Sequence, residues 1–259
     1  MNEATIRLGF FATLLTVVAL LETIYPRRPL QTSRRRRWLS NISISFISTV
    51  LIRTLSPMIP TAMALYCFEH GWGVFNWLKL PAWVEFICAI LFLDMLIYWQ
   101  HVFFHKIRPL WKIHRMHHAD LDIDSSTGIR FHPLEILLST LIKFLGILFF
   151  GPSPMAVLFF EILLNSCALF NHANIFIPLH IDKILRLLIV TPDQHRIHHS
   201  TDMREANKNF GFNFPWWDRL FQTYQSQPAL GHTEMHIGMN IFRSPEYIQI
   251  RKMLSIPFL

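Results

Sequence analysis

Residues 82–118 read AWVEFICAILFLDMLIYWQHVFFHKIRPLWKIHRMHH, and this stretch decides the fold. Residues 82–104 form an apolar run that carries one carboxylate, Asp94, in mid-segment. A helix needs about 20 such residues to cross a bilayer. The run ends in His101 and His105. On a helix that i, i+4 spacing sets both imidazoles on one face, roughly 5–6 Å apart at Cβ, where two rings can share one metal ion. The chain then turns basic and polar, and the stretch closes on His114-Arg-Met-His117-His118, three histidines that share a helix face. His195-Arg-Ile-His198-His199 repeats that box with the same spacing, and His172 stands between them in Phe-Asn-His-Ala-Asn. The expectation is an all-α bundle whose membrane helices end in a histidine-rich, metal-binding cap.

Outward from this stretch the apolar pattern recurs. Residues 4–24 form a first run, followed by Arg27, Arg28 and Arg34 to Arg37. A cleaved signal peptide carries its basic residues ahead of the apolar run, so the first run reads as a retained transmembrane helix ending in the cytoplasm. Residues 39–68 form a second run, interrupted by Pro57 and Pro60, of which 39–58 can cross; Arg53 within it must snorkel or face protein. The segment 69–81 reads as an interfacial loop with aromatic anchors. Residues 134–150 and 155–170 are shorter apolar runs joined by Gly-Pro-Ser-Pro at 151–154, the punctuation of a helical hairpin. From about 173 onward the chain is mixed and polar and reads as a cytosolic segment packed on the metal site.

Three spans plus a hairpin give a consistent topology. The first run ends inside, the second goes out, and the third returns with His101 and His105 at its cytosolic end. The hairpin adds two crossings or none, so the 195–199 box falls on the same side either way. The expected divisions are 1–81, an N-terminal membrane region; 82–225, a catalytic domain; and 226–259, a C-terminal tail.

Composition agrees. Of 259 residues, 52% are hydrophobic and only 16% charged, against about 25% in soluble domains; the mean hydropathy is +0.31. The net charge is +7, but the arginine block sits between apolar runs. It therefore reads as a topology signal able to meet anionic headgroups, and not as a nucleic-acid tail. Cys67, Cys88 and Cys167 lie in apolar stretches without CxxC spacing and read as small buried hydrophobes.

The eight boxed imidazoles exceed what one ion takes, since a single zinc is usually four-coordinate; two ions would share them. Imidazole suits iron, zinc, copper or nickel, so the donor type leaves the metal open. The HExxH zinc-protease motif has the spacing of 101–105, but its general base is replaced here by Val102.

Taken jointly, these boxes resemble the fatty acid hydroxylase/sterol desaturase superfamily of integral-membrane di-iron proteins. The resemblance runs over about residues 90–225. It includes Asp94, Tyr98-Trp99, Trp111, Phe131-His132-Pro133-x-Glu135, Asn171-His172, Thr191-Pro192, Asn209-Phe210-Gly211, Trp217-Asp218 and Phe221-Gln-Thr223-Tyr224. It implies two iron ions, replaceable by zinc in purified protein, with ligands His101, His105, His114, His117, His118, His172, His195, His198 and His199. It also implies O2, a lipid substrate drawn from the bilayer, and electrons from a separate donor of ferredoxin, cytochrome b5 or reductase type. The chain departs from the family near His172, where some members carry a second histidine; here 174 is Asn and 176 is Phe. That position leaves one ligand fewer, or Asn174 or water in its place.

Supporting roles follow by position. Asp94 shares a helix face with His101, and Asp193 lies two residues before His195; both are candidates to orient a ligand imidazole. His132 is a further candidate ligand. His232 and His236 also have i, i+4 spacing but lie outside the matched region, and Arg115 and Arg196 read as a solvated face. The expected function is a multi-pass membrane oxygenase that hydroxylates or desaturates a lipid C–H bond, its metal site and C-terminus cytosolic (in a bacterium, at the cytoplasmic membrane). A di-zinc hydrolase would need a carboxylate base beside the metals, and a metal transporter would string ligands along a membrane path.

Overall fold

In a computed structural model, residues 3–56 and 58–259 are described. The interruption expected at Pro57 lies outside them. No strand occurs among these residues; two isolated bridges are the only β pairing. The helices are α1 Glu3–Ile24, α2 Arg34–Leu55, α3 Pro60–Glu69, α4 Val74–Leu78, α5 Ala82–Lys106, α6 Arg108–His118, α7 Pro133–Phe150 and α8 Pro154–Asn171. Short helices complete the chain: α9 Leu179–Leu185, α10 Pro192–His198, α11 Met203–Ala206, α12 Trp216–Leu220, α13 Gly231–Glu234 and α14 Ile250–Ser255.

Five segments are long and apolar enough to cross a membrane: Glu3–Ile24, Arg34–Leu78, Ala82–Lys106, Pro133–Phe150 and Pro154–Asn171. The second takes in α2 to α4. The hairpin of α7 and α8 runs the length of α5. Its turn lies at the end of α5 remote from His101, where Glu85 accepts from the Ser153 amide at 2.8 Å. Gly151 takes a left-handed φ of 61° there, and a Cβ on Gly73 would stand 2.3 Å from its amide nitrogen. Two glycines let the α3–α4 corner press onto this turn.

The apolar interior of the bundle is Ala64, Cys67, Ile90, Leu93, Ile97, Ile147, Val157 and Phe160, from α3, α5, α7 and α8. Polar staples cross it. Glu161 of α8 pairs with both Lys143 of α7 and Arg7 of α1, satisfying a carboxylate that bare hydrocarbon would not tolerate. Arg53 lies exposed in the last turn of α2, free to snorkel.

The arginine block is more deeply built in than a topology signal requires. Arg37 is fully buried and grips Asp120 through two hydrogen bonds of 2.7 and 2.9 Å and Asp124 through one of 2.6 Å. Asn41 and Arg130 extend the network across α2. Arg28 is buried on the carbonyls of His232 and Met235. Nor do Arg115 and Arg196 form a solvated face: Arg115 donates to the Ile256 carbonyl, and Arg196, wholly buried, pairs with Asp193. The C-terminal segment is likewise packed, with Met253 and Ile256 buried against Ile44, Met116 and Ala119.

These contacts tie the start of α2 to the loop that follows α6. Removing one partner of a buried ion pair costs about 3–5 kcal/mol. Arg37→Ala should therefore lower the stability of the detergent-purified protein by about that much, read as a fall in denaturation midpoint. A loss under about 1 kcal/mol would show that the network is not a clamp.

Candidate metal centre

The C-terminal end of α5, all of α6, the C-cap of α8 and α10 converge at one end of the bundle. Each helix delivers histidines because its ligating face is the one turned inward. All nine histidines of the expected set are buried. They form two adjoining groups: His101, His105, His114, His118 and His198 in one, and His117, His172, His195 and His199 in the other. Within each group one ring nitrogen from every residue lies within 4.8 Å of all the rest. The groups meet where His118 stacks on His199, ring centroids 4.6 Å apart.

The backbone fixes which nitrogen faces inward. A carbonyl can only accept, so Nδ1 carries the proton wherever it meets one. His101 donates to the Phe210 carbonyl at 2.8 Å, His117 to Arg130 at 3.2 Å, His172 to Ala168 at 2.7 Å and His198 to Lys208 at 2.8 Å. His114 alone donates to a carboxylate, Glu135 Oε1, at 2.6 Å. In the four rings held by carbonyls Nε2 is then a bare lone pair, and the Glu135 contact turns the Nε2 of His114 towards the same cluster.

The lone pairs converge on each other. The Nε2 atoms of His117 and His172 stand 3.1 Å apart with no proton to share, and such a contact is repulsive unless a cation lies beside both. The separation is close to that of two nitrogens bound at about 2.1 Å to one ion. The Nε2 atoms of His101, His114, His198 and His199 are buried without any protein partner, and those of His105 and His195 stand 3.1 Å from the Nε2 atoms of His118 and His172. Orphaned buried acceptors are rare in folded proteins; four in one cluster fit a bound cation. The donor set suits iron or zinc.

Burial, and then the crowding of one imidazole on another, holds His117, His118, His195 and His199 well below the ordinary histidine range. Burial likewise brings His172 down to about 4 and His198 to about 3, against the opposing pull of their carbonyl partners. Neutral rings are the form that binds metal.

Other predicted residues sit elsewhere. Asp94 does not reach an imidazole. Its oxygens accept from the amides of Asn213 and Phe214 at 3.3 Å each and from Trp217 Nε1 at 2.8 Å. It therefore anchors the loop whose Phe210 carbonyl holds His101, one step further out than expected. Asp193 meets Arg27, Arg196 and His232 and touches none of the nine rings. His132 caps α7, its Nδ1 accepting from the Leu134 amide and its Nε2 facing the Leu254 carbonyl; with both nitrogens engaged it joins neither group. Asn174 is occupied with the backbone of Arg28 through both ends of its amide, at 3.1 and 2.8 Å. His232 is buried beside Asp193, away from the imidazole groups.

Glu135, quoted above only as part of the family resemblance, proves to be the partner of a ligand candidate, which the sequence reading did not assign. It sits 21 positions from its partner His114, and its one signal is its place in the first turn of α7 after His132-Pro133. The carbonyl holders leave no side-chain signal at all.

The fold and site define a helical protein of membrane-spanning proportions with paired imidazole clusters able to hold metal. The chain belongs to the fatty acid hydroxylase family, whose profile matches residues 86–223, more than half of the chain. Among its relatives, alkylglycerol monooxygenase of Danio rerio is 29% identical over 71% of this chain and 41% of that protein. Ornithine lipid hydroxylase OlsE of Rhizobium tropici is 23% identical over 88% of this chain and 69% of its own length. A delta(7)-sterol-C5(6)-desaturase of Nicotiana tabacum is 27% identical over 62% of this chain and 59% of its own. The chain thus covers less than half of the Danio rerio protein. No solved structure matches it.

Two expectations follow. Glu135→Gln keeps the shape and removes the charge behind His114. The variant should hold metal about 10–100-fold more weakly with its helical content unchanged, as read by chelator competition and circular dichroism; equal affinity would make Glu135 a packing residue only. The second concerns pH. The lowered ring pKa values mean that, below about pH 6.5, the unfolded chain binds protons that the folded chain refuses until about pH 3–4. Stability present above pH 6.5 is therefore lost progressively as pH falls through that window. Metal-free protein should show a lower melting temperature at pH 5 than at pH 7; no change would contradict the neutral-ring assignment.

Proposed function

We propose that the chain is a membrane-bound di-iron oxygenase that hydroxylates a C–H bond of a lipid. The observation that carries the reading is the pair of convergent imidazole groups with their unpartnered inward nitrogens. His101, His105, His114, His118 and His198 would hold one iron, and His117, His172, His195 and His199 the other. Bound there, the irons would supply O2 activation and oxidation of the C–H bond, with electrons from a separate donor of ferredoxin, cytochrome b5 or reductase type.

The protein's own share is positioning and exclusion of water. Backbone carbonyls lock four rings in the ligating tautomer, and Glu135 makes His114 the most electron-rich of the set. Phe210 lies edge-on to His101, His105 and His198, at 5.2–5.6 Å between ring centroids, and closes that side of the cluster. Trp111 lies 4.8 Å from His105 and 5.4 Å from His118.

The names of the relatives favour hydroxylation: alkylglycerol monooxygenase and ornithine lipid hydroxylase both insert oxygen into lipids, while the desaturase marks the alternative outcome. The arginine block supports a cytosolic centre, because Arg27, Arg28 and Arg37 contact Asp193, the 232–235 carbonyls and Asp120, all at the imidazole end. A hydrolytic centre is disfavoured. Among the described residues no carboxylate is a member of either imidazole group, and Glu135 meets His114 on its Nδ1 side, away from the converging Nε2 atoms.

The test is the metal content of detergent-purified protein beside a His117→Ala/His198→Ala variant. About two irons per chain, lost in the variant, is the expected result. Should zinc occupy the sites, iron reconstitution should restore O2 uptake in the presence of lipid and a reductant. A folded wild-type protein that binds no metal would overturn the proposal.

A further inference from the structure

Two short segments beside the metal centre are built inside out. In 176–188, the polar residues Asp182 and Arg186 are buried and paired at 2.6 Å, with Asp182 1% exposed. The residues turned outward are mostly apolar, Phe176, Leu179, Ile181, Ile184, Leu187 and Leu188, with Ile184 64% exposed, and His180 and Lys183 are exposed among them. The 216–221 segment repeats the pattern. Asp218 is fully buried, accepting from the amides of Phe210 and Gly211, while Trp216, Leu220 and Phe221 face outward. The two are stitched together by Trp216 Nε1 on the Leu187 carbonyl at 2.6 Å and Arg219 on the Arg186 carbonyl at 3.3 Å. A water-facing helix buries its apolar stripe and exposes its charges. Nine outward apolar side chains backed by buried charges are the reverse, and suit an apolar phase.

The belt is continuous with the spanning helices. Phe221 packs on Tyr98 and Trp99 of α5, at 5.4 and 4.8 Å between ring centroids. Trp217 reaches Asp94, at the middle of α5. At the other end the Phe176 amide donates to the Tyr25 carbonyl, just past α1. The outward basic residues Lys183 and Arg219 suit a headgroup boundary, where long cations lie with their stems in the apolar layer.

We infer that residues 176–188 and 216–221 form a membrane-embedded belt that rests in the acyl boundary of the leaflet nearest the metal centre, with lipid as its occupant. The belt also carries the lipid surface up to the imidazoles. The loop that presents Trp216 and Phe221 outward presents Phe210 and Phe212 inward against His101 and His195. The inference rests on the membrane reading of the chain and not on the identity of the metal.

The experiment uses the full chain in nanodiscs, one copy per disc, doped with a phosphatidylcholine that bears a diazirine in its acyl chain. After illumination, lipid adducts are mapped by peptide mass spectrometry, and metal content is measured on the same sample. Adducts on 176–188 and 216–221 comparable in yield to those on α1 are expected. They should fall several-fold on the belt in an Ile184→Glu/Leu188→Glu variant, with adducts on α1 and metal content unchanged. Adducts on α1 but none on the belt would overturn the inference, whether the belt then faced water or a second copy of the chain. Absent metal with a labelled belt would overturn the oxygenase reading and leave the belt standing.

Discussion

Nine imidazoles held together away from water are an unstable arrangement on their own, and the rest of the structure answers to that constraint. Five of the rings, His101, His114, His117, His172 and His198, have one nitrogen fixed by the protein and the other left bare. Carbonyls do the fixing because they cannot donate, so they select a tautomer without adding charge. Three of the four carbonyls so used lie outside the helices, Phe210 and Lys208 in the loop before α12 and Arg130 just past a single 3₁₀ turn, while Ala168 lies in the last turn of α8. The loops of the cap are therefore part of the site, and they are held by buried acids. Asp94 and Asp218 tie the 210–218 loop; Asp120 and Asp124, through Arg37, tie the loop that ends at Arg130.

That dependence explains why the helices could be read from the sequence and the supports could not. Apolar length and i, i+4 spacing are local properties, so the spans at 4–24, 82–104 and 134–170 and the grouping of the histidines were legible. Asp94 was legible as important and misread in its target, because helical periodicity aligned it with His101 while its partners lie some 120 residues further on. The Arg37–Asp120 clamp and the Glu135–His114 contact join separated segments that carry no shared pattern. The arginine block misled in a different way. A run of positive charge satisfies a topology rule whether its members reach water or bury themselves against acids, and here Arg34 to Arg37 do both.

The two imidazole groups are not equivalent, and the inequality traces to single residues. The larger group has five rings and the only carboxylate-backed one; the smaller has four, because Asn174 is spent on the backbone of Arg28 and Phe176 faces outward. Were an ion bound in each, the four-ring group would offer it fewer protein donors than the five-ring group. The chain thus distinguishes two positions by composition before any ion binds.

The segment after His172 joins the imidazole groups to the apolar belt. Phe176 turns outward and begins the belt, with Arg27 resting over its ring at 5.5 Å. The segment that supplies His172 therefore leaves the cluster as a lipid-facing surface within a few residues. From outside inward lie the belt, the phenylalanines of the 210–212 loop and the imidazoles. The order follows from burying charge inward and apolar side chains outward at the one place where the cap meets the spans.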